Sequence, residues 1–223
     1  MTIDRARATQ HPLVDELAQA RLIAIIRAGH EVDVDTVAGL LLDGGIRYIE
    51  VTLTTPGAIE AIAALQHRRP EGLRVGAGTV LSAADATTAV RVGVDFVVSP
   101  TVEPDVVAVA HEAGHAAFIG GLTPTEILAA WRAGADVVKV FPGRVANPGY
   151  FSDVRGPLPH IPLMPTGNVD LETAPAYFDA GAIAVGVGRA LVNPRHLREG
   201  DLESVRADIA RWRRLVEDSA TPA

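Results

Sequence analysis

The chain has 223 residues, 48% of them apolar and 4% aromatic, with a net charge of −7 and no cysteine. That length suits one domain with a full core, and the lack of cysteine removes disulfide, thiolate and cysteine–metal chemistry and fits a reducing cytoplasm. Scattered acidic charge and scarce aromatics argue against a nucleic-acid partner, and the earliest apolar run, residues 22–26, predicts neither a signal segment nor a membrane span.

In chain order, a helix is predicted over 13–20, ahead of the first strand at 22–27. Further strands are predicted near 46–53, 73–79, 94–99, 116–120, 136–141, 161–166 and 182–188. Helices fall between them at about 33–44, 57–68, 82–92, 103–113, 123–133, 147–155 and 170–180, and a last one spans 203–217. The arginines of 206–214 alternate with acids on that last helix, as on a solvated face. One pattern recurs along the chain: an apolar helical stretch, a glycine, then a β-branched run. The glycines are Gly45, Gly93, Gly114, Gly134 and Gly181. A glycine closing a helix lets the chain reverse into a strand, and about 20–25 residues hold one such βα unit. Eight units without a topological break predict an α/β fold, a (β/α)8 TIM barrel with an extra N-terminal helix, formed by 1–223 as a single domain. An open doubly wound sheet is the alternative.

Barrel chemistry sits at the C-terminal strand ends. Those positions hold Arg27, Glu50, Thr79, Ser99–Pro100, Gly120, Lys139, Thr166 and Gly188. Lys139 is the only lysine among 19 arginines. An amine there points to something a guanidinium cannot do, namely lose a proton and attack a carbonyl. A free lysine has a pKa of about 10.4, so roughly one in 2,500 is unprotonated at neutral pH. The valines beside it and Phe141 would lower that value, and a nearby carboxylate would oppose them. Glu50 lies in YIEVTLTTP with Tyr48, Thr52 and Thr54 on its face, opposite Ile49, Val51 and Leu53. A carboxylate facing a barrel interior is costly unless paired or used, and proton transfer in a Schiff-base cycle would use it. Simple charge pairing of Lys139 with Glu50 is the competing explanation.

Thr79 closes GAGTVL, where its hydroxyl would bond a carboxylate or cap the helix that begins after Ser82. The turns PTGNV (165–169) and VGVGRAL (185–191) end the last two strands, where backbone amides commonly cradle phosphate and Arg189 would add charge. The histidines do not cluster, so a metal site lacks ligands; only His30 falls near the ring.

The series IIR, EVTL-x-TP, GAGTVL, VSP, K-x-FP and PTG, in register from Leu22 to Val192, resembles the KDPG/KHG aldolase family (2-dehydro-3-deoxy-phosphogluconate and 4-hydroxy-2-oxoglutarate aldolases). The resemblance implies a (β/α)8 barrel, usually a homotrimer, that uses a lysine Schiff base with no metal or other cofactor. The substrate it implies is a 2-keto-3-deoxy-6-phospho sugar acid or 4-hydroxy-2-oxoglutarate, cleaved to pyruvate and an aldehyde. Lys139 matches the Schiff-base lysine, Glu50 the general acid/base and Thr79 a pyruvate-binding threonine. Pro100 and Phe141 fall in matching motifs beside the site. Arg27, Thr166, Gly167, Asn168, Gly188 and Arg189 match the region that holds a distal phosphate. Three positions depart from the pattern. Thr54 replaces an arginine that helps bind the pyruvate carboxylate, Asn168 replaces a glycine, and Arg189 stands where a serine is usual. Other readings are a phosphate-sugar barrel of the epimerase or thiamine-phosphate-synthase kind, and a non-catalytic oligomeric barrel.

Overall fold

A computed structural model describes residues 11–30 and 32–220. Eight strands run parallel: β1 (Leu22–Ile26), β2 (Tyr48–Thr52), β3 (Arg74–Gly78), β4 (Phe96–Ser99), β5 (Ala116–Gly121), β6 (Val137–Val140), β7 (Leu163–Pro165) and β8 (Val185–Val187). Their order is β7-β6-β5-β4-β3-β2-β1-β8, and a parallel bridge between Thr166 and Gly186 joins the two ends. The result is a (β/α)8 barrel, as the eightfold repeat predicts.

The connecting helices are α2 (Val34–Asp43), α3 (Ala58–Arg68), α4 (Ala83–Arg91), α5 (Pro104–Glu112), α6 (Pro124–Ala133), α7 (Pro148–Arg155) and α8 (Ala174–Asp179), with α1 (Pro12–Ala20) ahead of β1. Local chemistry fixes their ends. Asp33, Ser82 and Asn147 accept the N–H of the third residue on, and Thr123 and Glu126 form a reciprocal capping box. The five repeat glycines all lie at φ between +80° and +110°, in the left-handed region expected of the residue that turns a helix back into a strand.

Three details depart from expectation. A short helix, α9 (Pro194–Glu199), precedes the long α10 (Leu202–Ala220) where no element was predicted. Pro194 after the capping Asn193 starts it and Gly200 ends it, too briefly for an apolar period. The helix expected over 170–180 begins at Ala174, because the Asp170 side chain accepts from the Glu172 and Thr173 N–H groups in a turn of its own. Seven of the strands are also one to three residues shorter at one or both ends than predicted, while β5 runs one residue longer, to Gly121.

Two layers of core result. Alternate strand residues such as Ile49, Val51, Val97 and Val138 face the helices in a continuous outer core. The other set faces the barrel axis: Ile23, Tyr48, Phe96, Phe118, Val137 and Met164, plugged at the N-terminal end by Leu13, Val14 and Leu17 of α1. Phe96 stacks on Phe118 with ring centres 5.0 Å apart. One end of the barrel is therefore filled with apolar side chains, while Glu50, Thr52, Ser99, Lys139 and Thr166 are buried toward the other. No helix among the described residues is long and apolar enough to cross a membrane.

Candidate active site

Glu50 and Lys139 stand one layer above the aromatic plug. In register, Glu50 lies between Ile25 of β1 and Gly76 of β3, and Lys139 between Gly120 of β5 and Met164 of β7. Both side chains turn inward. Their exposures are 0% and 3%, and Lys139 Nζ is 3.8 Å from Glu50 Oε1, an ion-pair distance longer than a hydrogen bond. Neither Glu50 oxygen has a hydrogen-bond partner among the described residues. Keeping a carboxylate so poorly satisfied costs stability. Its place is reserved by Gly78, where a Cβ would overlap the Glu50 carboxylate.

Burial pushes the Lys139 amine below the ordinary lysine value; the Glu50 carboxylate works against that, and the Arg27 guanidinium adds to it. The Phe141 ring centre lies 5.5 Å from Nζ, and Phe141 is partly exposed on the cavity wall just beyond β6.

Above the pair opens a cavity of about 1060 Å3, large enough for a phosphorylated sugar acid. Of the residues singled out in the sequence, Arg27, Glu50, Lys139, Phe141, Thr166, Gly167, Asn168, Gly188 and Arg189 line it. Thr54, Thr79 and Pro100 do not. Thr54 and Thr79 instead hold Arg27, which donates to the Thr79 hydroxyl at 2.9 Å and the Thr54 hydroxyl at 3.4 Å. Thr79 therefore does not cap a helix; Ser82 does. Pro100 packs its backbone into the space a Cβ on Gly120 would need. Thr166 is buried, and its hydroxyl has no partner among the described residues. Asn168 adopts φ +54°, a left-handed conformation that asparagine tolerates better than other non-glycine residues. His30 lies in a smaller depression beside Leu197 and Arg198 instead.

Arg189 is exposed at the mouth, on a single helical turn closed by the Leu191 and Val192 N–H groups on the Gly188 carbonyl. Glu199, a possible counter-ion for it, pairs with Arg195. The sequence reading missed Arg144. It lines the same cavity from the β6–α7 loop, which is stitched to the β7 turn by Gly143 N–H on the Thr166 carbonyl and Arg144 N–H on the Gly167 carbonyl. An arginine directly after the FPG that follows β6 was its only signal. Three arginines and one lysine against Glu50 and Asp170 make the cavity lining attractive to an anion. No group of three or more His, Asp or Glu side chains that could hold a metal occurs among the described residues.

The family model described as KDPG and KHG aldolase matches residues 13–207. The chain belongs to that family. A probable 2-dehydro-3-deoxy-6-phosphogalactonate aldolase of Rhizobium meliloti is 35% identical over 174 residues, covering 78% of this chain and 82% of that protein. A 2-dehydro-3-deoxy-phosphogluconate aldolase of Treponema pallidum is 34% identical over 198 residues, 87% of this chain and 93% of its own. Among solved structures, native KDPGal superposes with a TM-score of 0.81 at 27% identity, covering 89% of this chain and 95% of that one. The family thus accounts for the barrel and for the motif series that runs along it.

Proposed function

We propose that this protein is a class I aldolase that cleaves a 2-keto-3-deoxy-6-phospho sugar acid, or the shorter 4-hydroxy-2-oxoglutarate, to pyruvate and an aldehyde. The observation that carries the proposal is the chain's only lysine, buried on the barrel axis 3.8 Å from a buried carboxylate and beneath a cation-lined cavity. Each step has a group to perform it. Lys139, its pKa lowered by burial, attacks C2 of the keto acid as the free amine, and loss of water leaves an imine. Glu50 takes the C4 hydroxyl proton as the C3–C4 bond breaks, the aldehyde departs, and the bonding electrons pass into the imine as an enamine. A proton returned to C3 and hydrolysis of the imine release pyruvate and restore the amine. The cycle needs no metal and no other cofactor.

Thr166, Gly167, Asn168, Gly188 and Arg189 receive the distal anion at the β7 and β8 turns, and Phe141 walls the side of the imine. Membership of the family and the names of the relatives support a carbon–carbon lyase acting on a keto acid. Family habit supports a homotrimer of single-domain chains in the cytoplasm, which light scattering would register as three times the chain mass. The defining experiment is incubation with pyruvate and borohydride, followed by mass mapping of the adduct. The expected result is one pyruvyl adduct on Lys139, absent from Lys139→Arg together with cleavage, while Lys139→Arg still unfolds cooperatively. Cleavage near the wild-type rate by Lys139→Arg would remove the Schiff-base mechanism.

A further inference from the structure

We propose that Trp212 of α10 is a positioning residue for substrate recognition: its indole N–H holds the turn after β8, and through it the direction of Arg189. This rests on the aldolase function proposed above and on Arg189 as a ligand of the distal anion.

The turn that follows β8 is short. The Leu191 and Val192 N–H groups bond the Gly188 carbonyl, and both of those side chains are buried, whereas Arg189 and Ala190 between them are exposed. The direction of Arg189 therefore depends on how the backbone beneath it is held. The Ala190 carbonyl supplies the anchor: it accepts the Trp212 indole N–H at 3.0 Å. Arg189 and Ala190 both line the cavity, so this bond reaches from the outer helix layer to the wall of the site.

The indole is itself fixed. Trp212 is fully buried and belongs to the stripe Val205, Ile209, Trp212 and Val216, which α10 presents to the outer core at helical spacing. The next residue, Arg213, ties α10 to the turn before β2 by donating to the Gly45 carbonyl at 3.1 Å. An indole N–H is a donor only, so its partner must be an acceptor, and leaving it buried without one would be costly.

The direction of the Ala190 carbonyl matters to an anion in two ways. Aimed at Trp212, which does not line the cavity, it turns its partial negative charge away from the place the anion would occupy. The carbonyl also shares one planar peptide unit with the Leu191 N–H, so freeing it lets that plane rotate and pull the N–H off Gly188. The turn that carries Arg189 would then open. β8 stands between β7 and β1 and beside neither β2 nor β6, the strands of Glu50 and Lys139. Loss of the bond should therefore act on the phosphorylated end of the substrate and spare imine formation.

Trp212→Phe keeps an aromatic ring in the stripe and removes the donor. Its KM for glyceraldehyde 3-phosphate in the condensation direction should rise about three- to tenfold, the range of one neutral hydrogen bond. Its kcat, and the pyruvate concentration that half-saturates borohydride trapping, should stay within about twofold. A cycle with Arg189→Ser separates positioning from a general loosening of the fold. In the Arg189→Ser background Trp212→Phe should add less than about twofold, because the cation it positions is gone. Equal effects with and without Arg189, or a lowered Tm with unchanged KM, would overturn the inference. If Trp212→Phe does not fold, Trp131→Phe leaves Trp212 as the only tryptophan. Its emission should then respond to saturating inorganic phosphate, and not once Arg189→Ser is added; an emission that phosphate leaves unchanged would overturn the inference. Wild-type protein that traps pyruvate while Arg189→Ser leaves the KM unaltered would overturn this inference alone. Wild-type protein that traps no pyruvate would overturn the aldolase function beneath it as well.

Discussion

Glu50 and Lys139 are buried ionisable groups held at a cost in stability, which the proposed chemistry would explain. The carboxylate has no hydrogen bond among the described residues, and the amine is held below its ordinary pKa against the pull of that same carboxylate. The sign of a pH effect follows. Glu50 favours the protonated amine, so Glu50→Gln should let Lys139 lose its proton at lower pH. The acid limb of pyruvate trapping should move toward lower pH, while cleavage kcat falls about 10²- to 10⁴-fold for want of a proton carrier. Trapping profiles at fixed pyruvate check the first part, and a limb moving alkaline would contradict it. At the other end of the cavity, Arg189 has no ion-pair partner among the described residues, and Glu199 pairs with Arg195. Arg189→Ser should raise KM for a phosphorylated substrate by about one to two orders of magnitude. Unphosphorylated 4-hydroxy-2-oxoglutarate should be affected much less, and equal small changes on both would mean that Arg189 does not bind the anion.

At the scale of the element, the same alternation that buries Ile49 and Val51 against the helices sends Tyr48, Glu50 and Thr52 to the axis. One strand thus contributes to the plug, the site and the support of Arg27 at two-residue intervals, since the Thr52 hydroxyl lies 3.0 Å from that of Thr54. Helix α1 completes the plug from outside the repeat: Leu17 is fully buried against the axis cluster at the end away from the cavity. Leu17→Ala should cost about 2–5 kcal/mol and lower Tm by roughly 5–15 °C. Its kcat, measured well below the transition, should stay within about twofold. A comparable loss of kcat with an unchanged Tm would mean that α1 governs the site rather than the closed end.

For the molecule as a whole, the cavity is walled by loops that follow β1, β6, β7 and β8 and floored by β2 and β6, so no single segment of chain carries the function. In the proposed cycle charge stabilisation comes from the imine nitrogen, which accepts the electrons of the broken C3–C4 bond. Aldol cleavage should therefore survive prolonged EDTA treatment at full rate. Loss of activity that zinc or magnesium restores would instead move the protein to metal-assisted chemistry.

The repeat was legible because it is local: glycine turns, helix caps and β-branched runs depend on neighbours a few residues apart, and so does the alternation that points Glu50 and Lys139 inward. A lone lysine among 19 arginines was legible for a different reason, as a choice of chemistry rather than of charge. The direction of a long side chain was not. Arg27 and Arg144 each have several staggered torsions, and what selects among them is a partner brought near by the barrel, 52 residues away in the case of Thr79. The same holds for Gly78, whose need to lack a Cβ shows only once the fold brings the Glu50 carboxylate against it. Patterns of period two and of about twenty residues were enough to predict the barrel and to single out Glu50 and Lys139 as candidate reacting groups. The partners of Arg27, the place of Arg144 on the cavity wall and the 3.8 Å between Glu50 and Lys139 came only from the folded barrel, because they depend on distances across strands that no local pattern encodes.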